Sequence, residues 1–280
     1  MYSKILIRKV VLSIVIFLFV IITAGCGSVK ETTSIWNNNG IKIDGDISDW
    51  QNSLVSIPDK KFAVGFKNDD QFLYVSLITD DRMKIMQMLR NGFITWFTPD
   101  GKNDKTFGVK FPMSNKDMKD EQLNNINREN FLLDNRDNME KQLTKLIIQQ
   151  KELEIINKEK FPLSLMPLAN KEGIRAKLGY TENNFVYELQ VPLKTDENYT
   201  YQIGTTPGGK VNIRFETEQI DSENIRNAMK ERGTMQRGEG DIPSAQREGT
   251  GRMRQGSAGF QKLEPINYSF DVILQQQPIN

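Results

Sequence analysis

The sequence predicts an all-β protein: an antiparallel β-sandwich of jelly-roll or immunoglobulin-like type, with one helical insertion and one flexible Arg/Gly-rich loop. Three observations predict it. Apolar and polar residues alternate in many short runs, turn-forming Gly, Pro, Asn and Asp separate those runs, and two long stretches break the pattern. Strict alternation puts one set of side chains on one face of a sheet. Many short strands joined by such turns pack as a sandwich or barrel.

The clearest run is 62–79. Phe62, Val64 and Phe66 alternate with Ala63, Gly65 and Lys67, and Leu73, Val75 and Leu77 resume the beat after Asn68-Asp69-Asp70-Gln71. That spacing is a hairpin, with Asn and Asp tolerating the positive φ that hairpin turns favour. Upstream, Ile41 and Ile43 read as a strand, Asp44-Gly45 as a turn, and Trp50 as a core residue. Downstream, Phe107/Val109/Phe111, Ile174/Ala176/Leu178, Phe185/Tyr187/Leu189/Val191, Val211/Ile213/Phe215 and Tyr268/Phe270/Val272/Leu274 each mark an inward face. About eight strands result, and at about 1.5–3 kcal/mol per buried side chain they make a sizeable core.

Two insertions interrupt this. Residues 116–160 are rich in Lys, Glu, Gln and Asn without Gly or Pro. Met139, Leu143, Leu146, Ile147, Leu153 and Ile156 recur near helical spacing, which predicts a helix from 135 to 158 that covers a sheet edge or binds a partner. Pro162 and Pro167 preclude its continuation, so 162–168 reads as a packing loop. Residues 221–262 hold many glycines, with Arg226, Arg232, Arg237, Arg247, Arg252 and Arg254 among or near them and little to bury. That composition predicts a flexible loop, or an arginine-rich arm for an acidic surface.

The chain opens with Lys4, Arg8 and Lys9 before an apolar run, Val10 to Ile22. Such a run spans roughly 20 Å as a helix, short of the ~30 Å hydrocarbon core, and residues 1–25 have the layout of a secretory signal peptide. Cys26 is the one cysteine. Thr23-Ala24-Gly25-Cys26 resembles the bacterial lipobox, with Thr23 standing where leucine is usual. The resemblance implies acylation of Cys26, palmitate included, and a lipoprotein of the cell envelope tethered through 26–40. Gly27 rather than Asp after the cysteine implies outer-membrane retention in a diderm cell, facing the periplasm or the cell surface. The folded domain is then 41–280.

The stretch Ile41-Lys42-Ile43-Asp44-Gly45-Asp46-Ile47-Ser48-Asp49-Trp50, the later Leu73-Tyr74-Val75-Ser76-Leu77, the strand Phe93–Phe97 ending in Thr98-Pro99-Asp100-Gly101, and Tyr187-Glu188 with Pro192-Leu193 form an ordered set. This set resembles family-9 carbohydrate-binding modules and the related DOMON domains. The resemblance implies a β-sandwich that binds ligands, and no catalytic residues.

The chemistry present narrows the function. Histidine is absent, which excludes Ser-His-Asp and Cys-His catalysis, His-ligated zinc and His-ligated haem. Removing Lys4, Arg8 and Lys9 leaves 34 basic against 36 acidic residues, a net of −2, so nothing drives the chain toward nucleic acid. Gly204 to Lys210 matches a phosphate-loop spacing, but Val211 follows where Ser or Thr must hold magnesium, and a Pro-Gly-Gly turn is the better reading. No two carboxylates stand out as a glycosidase pair. Sugar binding requires aromatic platforms beside hydrogen-bonding groups; the candidates are Trp96 and Tyr74, then Trp36 and Tyr180, each read more readily as an ordinary sandwich-core or second-face aromatic. Asp44, Asp46 and Asp49 are candidate ligands for a structural Ca²⁺. The sequence thus reads as a non-catalytic, lipid-anchored, extracytoplasmic module for a carbohydrate or other small ligand. The alternative is a structural lipoprotein that docks an envelope protein.

Overall fold

The computed structural model describes residues 30–38, 40–100, 105–114, 136–157, 164–194, 198–218 and 265–278. The leader, Cys26, the 221–262 segment and much of 116–160 lie outside the described residues. In chain order the elements are β1 (Lys30–Thr33), β2 (Ile35–Trp36), β3 (Leu54–Ile57), β4 (Phe62–Asn68), β5 (Phe72–Thr79), α1 (Arg82–Asn91), β6 (Phe93–Pro99) and β7 (Phe107–Lys110). There follow α2 (Arg136–Gln149), β8 (Glu152–Asn157), β9 (Ser164–Pro167), β10 (Arg175–Thr181), β11 (Asn184–Pro192), β12 (Lys210–Thr217) and β13 (Asn267–Ile273).

Two sheets form the sandwich. One is seven-stranded, in the order β1-β13-β12-β6-β7-β8-β9. The other runs β10-β11-β5-β4-β2, with β3 also paired to β4. The pairs are antiparallel except β1 on β13 and β2 on β4. Those two exceptions have one cause. The amino-terminal segment crosses from one sheet to the other and adds an edge strand to each. Its crossing point, Ser34, is buried, and its backbone N–H donates to Ile273 O at 3.0 Å. The Ser34 hydroxyl donates to Asn68 Oδ1. Gln275 N–H donates to Ser34 Oγ at 2.9 Å and to Asn68 Oδ1 at 3.0 Å, while Asn68 Nδ2 donates to Gln275 O at 2.9 Å. Ser34 and Gln275 are thereby both clasped to the turn of the β4–β5 hairpin.

The predicted inward faces are the observed ones. Phe185, Tyr187, Leu189 and Val191 on β11, Val211, Ile213 and Phe215 on β12, and Phe93 and Phe97 on β6 have no exposure. Aromatic rings knit the sheets together: Phe93 stacks on Phe215 with centroids 5.8 Å apart and meets Tyr187 edge-on at 5.2 Å. Edge contacts of this kind add to the area term. Burial raises the Tyr187 hydroxyl's pKa, and its hydrogen bond with Thr95 Oγ1 at 2.9 Å satisfies it across the core. Helix α1 closes one end of the sandwich with Ile85, Met86, Met88 and Leu89. Asp81 caps it, accepting from Met83 N at 2.9 Å and Lys84 N at 3.3 Å.

Several expectations are corrected. The helix predicted over 135–158 ends at Gln149, and Leu153 and Ile155 face the core from strand β8 between β7 and β9. Leu153 and Ile156 matched helical spacing by coincidence; Leu153 and Ile155 alternate as strand residues, and the β-branched pair Ile155-Ile156 suits a sheet. What remains of the helix carries Leu143 into the core and packs on β10, the edge strand of the other sheet. The packing loop at 162–168 contains an edge strand, Ser164–Pro167. Proline is tolerated on an edge, where its missing donor faces away from the ladder. Ile41 and Ile43 form no strand: Lys42 N–H donates to Asp49 Oδ2 at 3.0 Å instead of to a ladder. The β4–β5 turn needs no positive φ, because Asp69 Oδ1 accepts from Gln71 N at 2.9 Å and Phe72 N at 2.8 Å. Positive φ serves the β10–β11 hairpin instead, at Glu182 (52°) and Asn183 (66°).

Phe215 touches Phe66, Phe93 and Phe270 and is fully buried. Phe215→Ala is expected to cost about 3–5 kcal/mol of stability, read as a lower denaturant midpoint with an unchanged slope.

Candidate functional site

The outer face of the six-stranded sheet is roofed by residues 40–53, which form a strap. The strap's turns are built by its aspartates: Asp44 Oδ1 accepts from Asp46 N at 3.0 Å and Asp46 Oδ1 from Ser48 N at 2.7 Å. The Ser48 hydrogen bonds hold the Asp46 pKa below its ordinary value. With Asp49 capping Lys42, each candidate calcium ligand is committed to a backbone N–H. Among the described residues no three acidic side chains converge on a point able to hold a cation.

Trp50 anchors the strap. It has no exposure, yet it lies outside the inter-sheet core, on the opposite side of the six-stranded sheet. A Cβ at Gly65 would fall 2.6 Å from its ring, so only glycine lets the indole lie against β4. Gly179 on β10 meets Gly45 of the strap in the same way, its added Cβ falling 1.8 Å from Gly45 O. Between them sits the carboxylate of Glu188, itself fully buried. Glu188 Oε1 accepts from Trp50 Nε1 at 2.7 Å and Oε2 from Gly45 N at 2.5 Å. Burial pushes the Glu188 carboxyl up to about 7, against the opposing pull of those two donors.

Beyond the strap the same face continues to the end of the sandwich that holds the β4–β5 turn, where Tyr74 and Gln190 are buried and Arg175 is exposed. Arg175, Gln190, Tyr74 and Lys67 stand in register across β10, β11, β5 and β4, with neighbouring strands about 4.8 Å apart. The Tyr74 hydroxyl donates to Asp69 Oδ2 at 2.6 Å, and the Asn37 amide lies beside it. Burial and Asp69 raise its pKa well above the ordinary tyrosine value. Phe72 stands 6.3 Å from the Tyr74 ring and 5.7 Å from Tyr199, and both Phe72 and Tyr199 are half-buried. Gln190 Nε2 donates to Gly173 O at 3.0 Å, fixing the amide beside Arg175. The result is a shallow corner of three aromatic rings, an amide and a guanidinium.

The four aromatic candidates disperse. Tyr74 belongs to the corner, although only 5% of it is exposed. Trp36, half-buried on β2, precedes Asn37 and lies at the same end. Tyr180 lies at the opposite end of β10, packed against the core. Trp96 is on the other sheet's outer face, opposite Arg214 and Gly108, its ring against Gly108. It is 6% exposed, with the Lys105 ammonium 5.6 Å above its ring. Phe72, Tyr199, Gln190 and Arg175 went unnoticed in the sequence. The inward face Ile174/Ala176/Leu178 makes Arg175 an outward residue, but which outward residues become neighbours depends on register.

No family model matches the chain, and no curated protein matches it. Solved structures similar to it include two carbohydrate binding modules. One is a carbohydrate binding module family 9 from Caldicellulosiruptor kristjanssonii in complex with glucose, 11% identical over 69% of this chain and 81% of that one, at a TM-score of 0.29. The other is such a module from the same organism in complex with cellotriose, 10% identical over 69% and 79%, also at 0.29. By its own strands and sheets, the chain is a β-sandwich with a helical insertion.

Glu188 makes the strap pH-sensitive. A carboxyl whose folded pKa exceeds its unfolded 4.5 contributes stability in full below that value and loses it as pH rises through about 7. Relative to Glu188→Gln, the wild type is expected to lose stability over that window and run parallel above it, read from denaturant midpoints at a series of pH values.

Proposed function

We propose that this chain is a non-catalytic binding module for a carbohydrate or comparable small ligand, exported from the cytoplasm and held at a membrane by lipid on Cys26. The observation that carries the binding part is the corner at the β4–β5 end of the six-stranded sheet. Half-buried Phe72 and Tyr199 offer ring surface for the apolar face of a sugar, while Gln190, Arg175 and the fixed Tyr74 hydroxyl border it with polar groups. Shape and polarity of that kind suit a ligand laid on a surface rather than enclosed.

Chain geometry supports the same reading. Lys30 pairs with Phe270, and β1 then runs toward the corner, so its amino end points to the opposite end of the sandwich. Cys26 lies four residues before Lys30, a span of at most about 14 Å. A domain held by that residue presents the corner away from the surface that holds it.

A second reading, a lipoprotein that docks a protein partner, is favoured by β9. It is the last strand of its sheet among the described residues, and its outward Leu165 is 59% exposed. The two readings separate in one experiment, a thermal-shift and calorimetric screen of the full chain in detergent against oligosaccharides. A ligand at a hundred times its Kd adds about 2.7 kcal/mol and raises Tm by several degrees. Tyr199→Ala is expected to weaken such binding by about tenfold or more, since stacking on one ring is worth about 0.5–1.5 kcal/mol beyond its area. Trp96→Ala, on the other sheet, is expected to leave it unchanged. A flat screen overturns the proposal, and loss on Trp96→Ala alone moves the site to the other sheet.

A further inference from the structure

Two acids of the corner are occupied: Asp69 accepts from the Tyr74 hydroxyl and from two backbone N–H groups, and Glu172 Oε2 accepts from Thr200 N at 2.8 Å. Lys67 is occupied too, donating to Asp49 O at 2.6 Å with its ammonium over the Trp50 ring. Arg175 and Lys177 are different. Both are exposed, on consecutive outward positions of β10, about 7 Å apart. No described carboxylate pairs with either. The carboxylate directly across the ladder from Lys177 is Glu188, which is sealed under the strap with both oxygens engaged.

We infer that the ligand of this corner is a carboxylated pyranose, an oligouronate, whose carboxylate is taken by Arg175 while its ring lies against Phe72 and Tyr199. The inference rests on the binding-module reading and deepens it. A guanidinium presents a planar fork that matches a carboxylate with two parallel hydrogen bonds. Among the described residues no carboxylate takes the Arg175 fork, which stands one strand from a fixed amide and two strands from Tyr74, whose ring meets that of Phe72. A neutral sugar offers the cationic pair no carboxylate. Lys177, next along β10, suits a second carboxylate on an adjoining sugar residue.

The test compares tri-galacturonate with its fully methyl-esterified counterpart, identical but uncharged, by calorimetry on the full chain in detergent. The acid is expected to bind about tenfold tighter or more, as a charge-assisted bidentate pair is worth about 1.5 kcal/mol or more, with an advantage that shrinks as salt rises. Arg175→Ala is expected to abolish the preference, bringing the affinity for the acid down to that for the ester. Arg175→Lys, which keeps the charge and loses the fork, gives an intermediate loss; an unchanged Tm for both variants shows that the fold is kept. Equal affinity for acid and ester, or a preference that survives Arg175→Ala, overturns the inference and leaves the binding-module reading standing. Failure of both probes together with every neutral oligosaccharide overturns both.

Discussion

The structure depends on a carboxylate that no solvent reaches. Glu188 sits on the central part of the outer sheet surface, where an uncompensated charge would be costly. It is kept by two donors from the strap, the Trp50 indole N–H and the Gly45 backbone N–H. The dependence runs both ways. Without the carboxylate, the indole N–H would be buried unpaired; without the strap, the middle of the six-stranded sheet would lie open. The strap therefore divides that face into a part sealed under Trp50 and a part around the half-buried Phe72 and Tyr199.

Much of the sandwich was legible because alternation is a local property. Phe185 to Val191 and Val211 to Phe215 declare their inward faces whatever they pair with. Where two periodicities fit the same residues, tertiary pairing decided: Leu153 and Ile156 fit a helix on spacing alone, yet β7 and β9 on either side make that segment a strand. The strap was illegible for the opposite reason. Ile41 and Ile43 alternate like strand residues, but Asp49 offers Lys42 N–H a nearer partner than any neighbouring strand. Trp50 was read as buried, correctly, although it is buried on the outside of its sheet.

The site was less legible than the fold. Aromatic residue type pointed to Trp96 and Tyr74, but which aromatics share a surface is fixed by sheet assignment and register, and neither is written locally. Trp96 pairs across to Arg214 in one sheet and Tyr74 to Gln190 in the other, so they face away from each other. The register that separates them also brings Arg175, Gln190 and Tyr74 into one row, from segments about a hundred residues apart.

The parallel pairing of β1 with β13 also has a mechanical consequence. A strand pulled sideways from a sheet unzips, its hydrogen bonds failing one after another at low force. A strand pulled along its own axis loads all its bonds together. Lys30 to Thr33 lie along β13, and the Ser34–Asn68–Gln275 clasp stands behind them at the far end. Tension applied through the amino-terminal segment therefore meets this domain in shear, at a place where several bonds must break at once.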